Sequence, residues 1–434
     1  MNRAGPARKP RGRANGEGSI YPYKNGYAAY SWVTTPAGTR RRKYVYGKTR
    51  DDVHAKWLSL QTASKSGVVA TRSQAVGDYL RYWLSEVITE PDYAPQTVAT
   101  YGIYARLYLI PGLGKHRLDR LSIRMVRAWL TELRDTCQCC AQGKDAARAV
   151  AKRRCCAIGQ CCESRLSEYT VQGILRAFRS ALSNAVREEL ISKNVAALTR
   201  VSKPRKSRKV KPWTVDEARK FLEAARAADD TLYAAFALIL VLGLRRGEAL
   251  GLTWELVDLD KGELRISQQL QRVNGRLLRR ETKTESSDAP LPLPDICLAA
   301  LKLRKEQQAR ERETHESRWT ETGLVFTTRF GTAIEPRNFN RKFDQRIAQC
   351  GVRRINVHGT RKTCGTLLAA LDIHPRVAMQ ILRHSRIAVT MEIYTDATSE
   401  ATRAALRKLG DTLTQAGLSD GRGGDEPPAA GRGM

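Results

Sequence analysis

The spacing of apolar and polar positions changes several times along the chain, and each change marks an element or a boundary. Residues 1–17 contain no apolar run and carry Arg3, Arg8, Lys9, Arg11 and Arg13 among Pro and Gly, a composition that predicts a disordered basic arm. From Gly18 three short segments rich in Tyr, Trp and Val are parted by Asn25-Gly26 and Pro36-Ala37-Gly38, and Thr49 is positioned to cap a helix running to about Gln61. These hairpin and cap signals predict a three-stranded sheet with one helix over residues 18–66. Between Ser73 and Val201 the period becomes helical, as in Val76, Tyr79, Leu80, Trp83 and Leu84, and again in Val171, Ile174, Leu175, Phe178 and Leu182. An all-helical domain over residues 73–201 is expected, interrupted at 136–164 by an insertion of another character. Residues 202–212 form a basic linker, with Lys203, Arg205, Lys206, Arg208 and Lys209 between or beside Pro204 and Pro212.

A further domain is expected over residues 213–416. It opens on a capping box, Thr214 with Glu217, and continues into an apolar helix ending near Leu244. Strands are predicted from Glu263 to Arg272, from Arg276 to Thr282 across an Asn274-Gly275 turn, and around Ala289 to Leu293; helices resume near Asp295. Residues 417–434 are rich in Gly and Pro and read as a disordered tail. The fold class is multi-domain α+β: a small sheet with a helix, an all-helical domain, and a mixed α/β domain.

Charge narrows the partners. The 434 residues include 75 Lys and Arg against 44 Asp and Glu, a net charge of +31. That excess points to a polyanion, and its spread over the whole chain favours nucleic acid over a membrane surface. Arg40, Arg41, Arg42 and Lys43, in the third strand beside Tyr44 and Tyr46, read as a DNA-binding ribbon, with a solvated strand face as the alternative. The N-terminus has no signal-peptide pattern, and the apolar run Thr231 to Leu244 is too short to span a bilayer. A cytoplasmic, nucleoid-associated protein is expected, in which the ten cysteines are thiols or metal ligands. Seven fall in the insertion: Cys137, Cys139, Cys140, Cys155, Cys156, Cys161 and Cys162. Cys137 and Cys140 have a chelating gap, and Cys155 or Cys156 with Cys161 or Cys162 completes four thiolates; the set taken is Cys137, Cys140, Cys155 and Cys161 as a structural zinc site, with a free redox-sensitive loop as the alternative.

No Gly-rich phosphate loop and no cluster of carboxylates at metal-binding spacing stands out, which argues against nucleotide hydrolysis and two-metal nuclease chemistry. What remains are cations and a nucleophile. Arg245 lies in Gly243-Leu244-Arg245-Arg246-Gly247-Glu248 at the end of the apolar helix, His358 and Arg361 share a helix face, His384 follows Leu382-Arg383, and Tyr394 comes ten residues later. Glu248 reads either as the group that orients Arg245 or as a surface charge. In this order, with Lys283 after the hairpin, the chain resembles the tyrosine recombinases, specifically three-domain integrases of phages and integrative elements. The resemblance implies that Arg245, Lys283, His358, Arg361, His384 and Tyr394 are the catalytic residues. Arg383 and Gly359-Thr360 depart from the family's usual Gly and Asp-Leu.

The roles follow from charge. Two guanidiniums meet the phosphate oxygens as a fifth oxygen adds, Tyr394 attacks, His358 takes its proton, His384 donates a hydrogen bond to the phosphate, and Lys283 protonates the leaving 5′ oxygen. No cofactor is expected for this chemistry. The resemblance further implies double-stranded attachment sites, a homotetramer on DNA with the helical segment Ala401 to Leu413 docking on a neighbour, and an excisionase and a host DNA-bending factor as further partners. A type IB topoisomerase and a non-catalytic architectural protein are the alternative readings.

Overall fold

The structure, a computed structural model, describes residues 20–35, 38–67, 74–201, 210–281, 290–384 and 386–394, with the backbone alone for Ser66 and residues 392–394. Outside the described residues lie the basic arm, Lys203, Arg205, Lys206, Arg208, Lys209, Lys283 and the segment Ala401 to Leu413. The chain divides into two compact units, Met1–Lys206 and Ser207–Met434, so the expected sheet and helical domains fall within one of them.

In the first unit, β1 (Tyr21–Tyr23), β2 (Gly26–Thr34) and β3 (Arg40–Gly47) form an antiparallel sheet followed by α1 (Arg50–Ser66). Thr49 caps α1 by accepting from the Asp52 N–H at 3.2 Å. The helix runs past the expected Gln61 because nothing in Thr62 to Ser66 breaks it. Strand alternation turns Ala29, Val33 and Val45 toward Val53, Trp57 and Leu60 of α1. The helical part comprises α2 (Val76–Tyr82), α3 (Pro95–Tyr104), α4 (Ile110–Leu113), α5 (Ile123–Asp135), α6 (Gln138–Ala141), α7 (Glu168–Arg187) and α8 (Val195–Leu198). The two periodic sets meet in one core, where Val76, Tyr79, Leu80 and Trp83 pack with Val171, Ile174, Leu175, Phe178 and Leu182.

The second unit begins with α9 (Val215–Ala227), whose Thr214–Glu217 capping box is formed in both directions, then α10 (Tyr233–Val241) and α11 (Arg246–Gly251). Short strands β4 (Val257–Asp258), β5 (Glu263–Leu264) and β8 (Leu291–Pro292) make one sheet, while β6 (Gln268–Val273) and β7 (Arg276–Glu281) form a separate hairpin. The expected strand Glu263 to Arg272 is therefore two strands serving different sheets. Asn274 at φ 47° and Gly275 at φ 82° provide the left-handed pair that a two-residue hairpin turn needs. Helices α12 (Asp295–Thr314), α13 (Pro336–Cys350), α14 (Val357–Ala370), α15 (Pro375–Leu382) and α16 (Ile387–Tyr394) complete it. Every residue of α10 from Tyr233 to Leu240 is buried, and Phe236 joins Trp213, Phe221, Phe339 and Phe343 in an aromatic cluster. This cluster is the rigid floor beneath the elements that carry the candidate site.

Candidate active site

The site starts at the turn after α10. Gly243 has φ +61°, and a Cβ there would lie 2.6 Å from Leu382 Cδ2, so only glycine lets this turn pack under α15. The turn ends α10 at Val241, earlier than the periodicity indicated, and makes Arg245 the N-cap of α11 instead of the last residue of the apolar helix. A cation at that end gains nothing from the helix dipole. It is held instead by Glu248, which accepts from the Arg245 N–H at 2.9 Å and from its Nη1 at 2.6 Å. Glu248 is 3% exposed, which settles its sequence reading against a surface charge.

Arg361 comes from α14, which Asn356 caps by accepting from Gly359 N–H at 2.7 Å. Its Nη1 donates to the Gly243 carbonyl at 2.5 Å, whereas its buried Nη2 has no hydrogen-bond partner among the described residues. Burial, then Arg245 and Arg383, lower the Arg361 pKa to about 9. A buried guanidinium with one edge unsatisfied, among other cations, is an electrostatic deficit that an anion would fill. His358, three residues earlier on the same helix, is exposed, and partial desolvation followed by Arg361, Lys362 and Arg245 lowers its pKa below the ordinary value.

The departure at Arg383 has a structural reason that sequence reasoning missed. Arg383 closes α15 with φ +49°, the left-handed conformation that usually takes glycine. Its Nη2 donates to Glu248 Oε2 at 2.8 Å, with both side chains under 5% exposed. Burial works against ionisation of Glu248, but Arg383 and Arg245 outweigh it and hold the carboxyl below its usual range. One carboxylate thus fixes two arginines. The only sequence signal was the odd residue itself; its partner is 135 positions away.

His384 is half-buried, its N–H bonded to Met379 O at 3.1 Å and its Nδ1 2.9 Å from the Thr390 hydroxyl of α16. Burial, followed by Arg361, Arg245, Arg383 and His358, lowers its pKa to about 4. Arg245 and Arg361 thus both act on the two histidines. Helix α16, which ends on Tyr394, packs against α14 and α15.

In the first unit, alternation divides the predicted basic ribbon. Arg40 and Arg42 lie on the outer sheet face with Tyr44 and Tyr46, whereas Arg41 and Lys43 share the alternation of Val45, which packs toward α1. On the outer face Arg42 stacks 4.9 Å from Trp32 and 5.0 Å from Tyr30, while Trp32, Tyr44 and Tyr46 stay exposed.

The insertion gathers all seven of its cysteines. Cys137, Cys140, Cys156 and Cys161 form one group of four sulfurs within 4.8 Å of one another; Cys139, Cys155, Cys156 and Cys162 form another. The expected set is corrected at one position. Cys155 is buried with its sulfur 3.7 Å from Cys139, because neighbouring residues in this turn project in different directions, and Cys156 stands with Cys137 instead.

Residues 212–401 match the Phage integrase family. A tyrosine recombinase described as XerC-like, from Caldanaerobacter subterraneus subsp. tengcongensis, is 25% identical over 411 residues, covering 89% of this chain and 97% of the relative. An integrase of Streptomyces ambofaciens is 26% identical over 379 residues, covering 84% of this chain and 88% of the relative. The fold is shared with the Tn1549 transposon integrase in complex with a circular intermediate DNA, at 19% identity and a TM-score of 0.58 over 78% of this chain and all of that one. Neither alternative reading is favoured by these similarities. The match to the Phage integrase family falls on the part of the chain that holds Arg245, His358, Arg361 and His384.

Proposed function

We propose that the chain is a site-specific DNA integrase that cuts and rejoins strands through a 3′-phosphotyrosine link, inserting and excising a phage or mobile element. The observation that carries this is buried Arg361, whose Nη2 has no hydrogen-bond partner among the described residues and whose charge acts, with that of Arg245, on both histidines. In this reading Arg245 and Arg361 hold the non-bridging oxygens of the scissile phosphate, and charge developing there in the transition state strengthens both contacts. The Tyr394 oxygen bonds to phosphorus as the bond to the 5′ oxygen breaks. The phenol proton passes to His358, whose pKa is lowered by partial desolvation and then by its cationic neighbours. In the tautomer whose Nδ1 accepts from the Thr390 hydroxyl, the neutral His384 ring carries its proton on Nε2 and donates a hydrogen bond to a phosphate oxygen. Lys283, two residues beyond the β6–β7 hairpin, protonates the departing 5′ oxygen. The new ester retains the energy of the old one, so a second 5′ hydroxyl can reverse the step.

The exposed Arg and Tyr face of the first sheet supports binding to accessory, arm-type DNA, and the helical part supports clamping of the core site. A tetramer on two sites completes the reading. The insertion is taken to hold structural zinc on Cys137, Cys140, Cys156 and Cys161.

The test is a denaturing gel of the protein with labelled, nicked attachment-site DNA. A covalent band from wild type that Tyr394→Phe abolishes while still binding DNA is the expected result; no band on DNA that is demonstrably bound would overturn the proposal. Truncation from Ser399 onward should preserve binding and impair synapsis, and unchanged recombination would refute the docking role of that segment.

A further inference from the structure

We infer that the insertion binds two zinc ions, sharing the Cys156 thiolate as a bridge. The inference rests on the reading that the insertion holds zinc at all, and extends it. Its first support is the accounting of sulfurs. The two four-thiol groups together use all seven cysteines of the insertion, each once, except Cys156, which belongs to both. A single tetrahedral site would leave Cys139, Cys155 and Cys162 clustered beside it without a purpose.

Geometry agrees. With zinc–sulfur bonds of about 2.3 Å, the edge of a tetrahedral site is about 3.8 Å. Sulfur separations are 3.9 Å for Cys137–Cys156, 4.0 Å for Cys140–Cys161, 3.7 Å for Cys139–Cys155 and 3.9 Å for Cys156–Cys162. A disulfide needs about 2.05 Å, so no pair is close to bonding distance. Cys156 lies 3.9 Å from Cys137 of one group and 3.9 Å from Cys162 of the other, as a shared vertex requires.

Packing supplies an independent reason. Between residues 136 and 164 the buried side chains are Gln138, Cys139, Asp145 and Cys155, while Val150 and Ile158 are 76% and 53% exposed. A segment of this length with no apolar core needs another source of order. Asp145 contributes part of it: fully buried, it accepts from the N–H groups of Arg154, Cys155 and Ala157, and it pairs with Arg148. Its carboxylate thus shapes the turn that presents Cys155 and Cys156 and is not itself in either thiol group. Two divalent ions would leave three of the seven thiolate charges uncompensated, and Lys144, Arg148, Lys152, Arg153 and Arg154 are close in sequence to balance them. Soft sulfur donors in tetrahedral arrangement select zinc over magnesium or calcium.

Elemental analysis of the full chain, purified without chelator and reconstituted with zinc, is the test. Two zinc equivalents per chain are expected, falling to one in Cys139→Ala. One equivalent in wild type, unchanged in Cys139→Ala, would overturn the shared-bridge inference and leave the single-site reading standing; none would overturn both. Substituting cadmium gives a readout that needs no variant. Two cadmium NMR resonances coupled through the common sulfur are expected, and a single resonance, or two without coupling, would rule out the bridge.

Discussion

Arg361 and Cys155 are both buried, at 4% and 8% exposure, yet the surroundings that hold them have little in common. Arg361 lies on a helix packed against α10, in a unit with an extensive apolar core, so the scaffold bears the cost of keeping an unsatisfied cation in place. Cys155 sits in a segment with no apolar core, where sulfur atoms and one carboxylate occupy the interior. The difference teaches where each kind of order resides. Charge can be concentrated for catalysis where hydrophobic packing is in surplus, while a segment without packing draws its order from polar contacts and, in the zinc reading, from ligation.

The comparison is broken most severely by removing metal. Structural zinc contributes on the order of 10 kcal/mol to small domains, so chelation should expose residues 136–164 to protease while the unit from Trp213 onward stays protected. Equal protection of both regions would count against ligation as the source of order. Next in size, Glu248→Gln should cost about 3–5 kcal/mol by leaving the buried Arg383 charge uncompensated. Denaturant unfolding measures it, and adding Arg383→Gly should recover much of the loss. Arg361→Ala should slow single-turnover cleavage by a factor on the order of 100–1,000, as for removal of one transition-state donor, without lowering the thermal midpoint; a large drop in that midpoint would mean that Arg361 serves the fold.

The smallest effect is a pH slope. His384 has its pKa lowered from 6.5 to about 4, so between these values the folded chain binds fewer protons than the unfolded one. Its contribution to stability is complete above about 6.5 and is lost as pH falls through 4. Thermal melts of His384→Gln should show a shallower acid-side decline than wild type, and identical slopes would contradict the assignment.

Much of this was legible in the chain because its causes are local. The caps at Thr49 and Thr214, the Asn274-Gly275 turn and the helical periods through Trp83 and Phe178 depend on neighbours within a few residues. The order of Arg245, His358, Arg361, His384 and Tyr394, which carries the resemblance, is likewise a property of the chain. The split of Glu263 to Arg272 between two sheets was hidden, because strand partners are chosen across the fold. The exchange of Cys155 for Cys156 was hidden because adjacent thiols differ only in direction.

By itself, then, the sequence determined most of the elements, the strongly basic charge and the candidates for the reactive groups, since composition, period and spacing are properties of the chain. Tertiary structure decided which of those groups are desolvated and what each one meets. It made Arg245 a helix start, gave Glu248 two arginines to hold, left one edge of Arg361 unsatisfied and drew seven sulfurs together. The physical reason is that burial and long-range pairing, which set the energy of a charge, exist only once distant segments have packed.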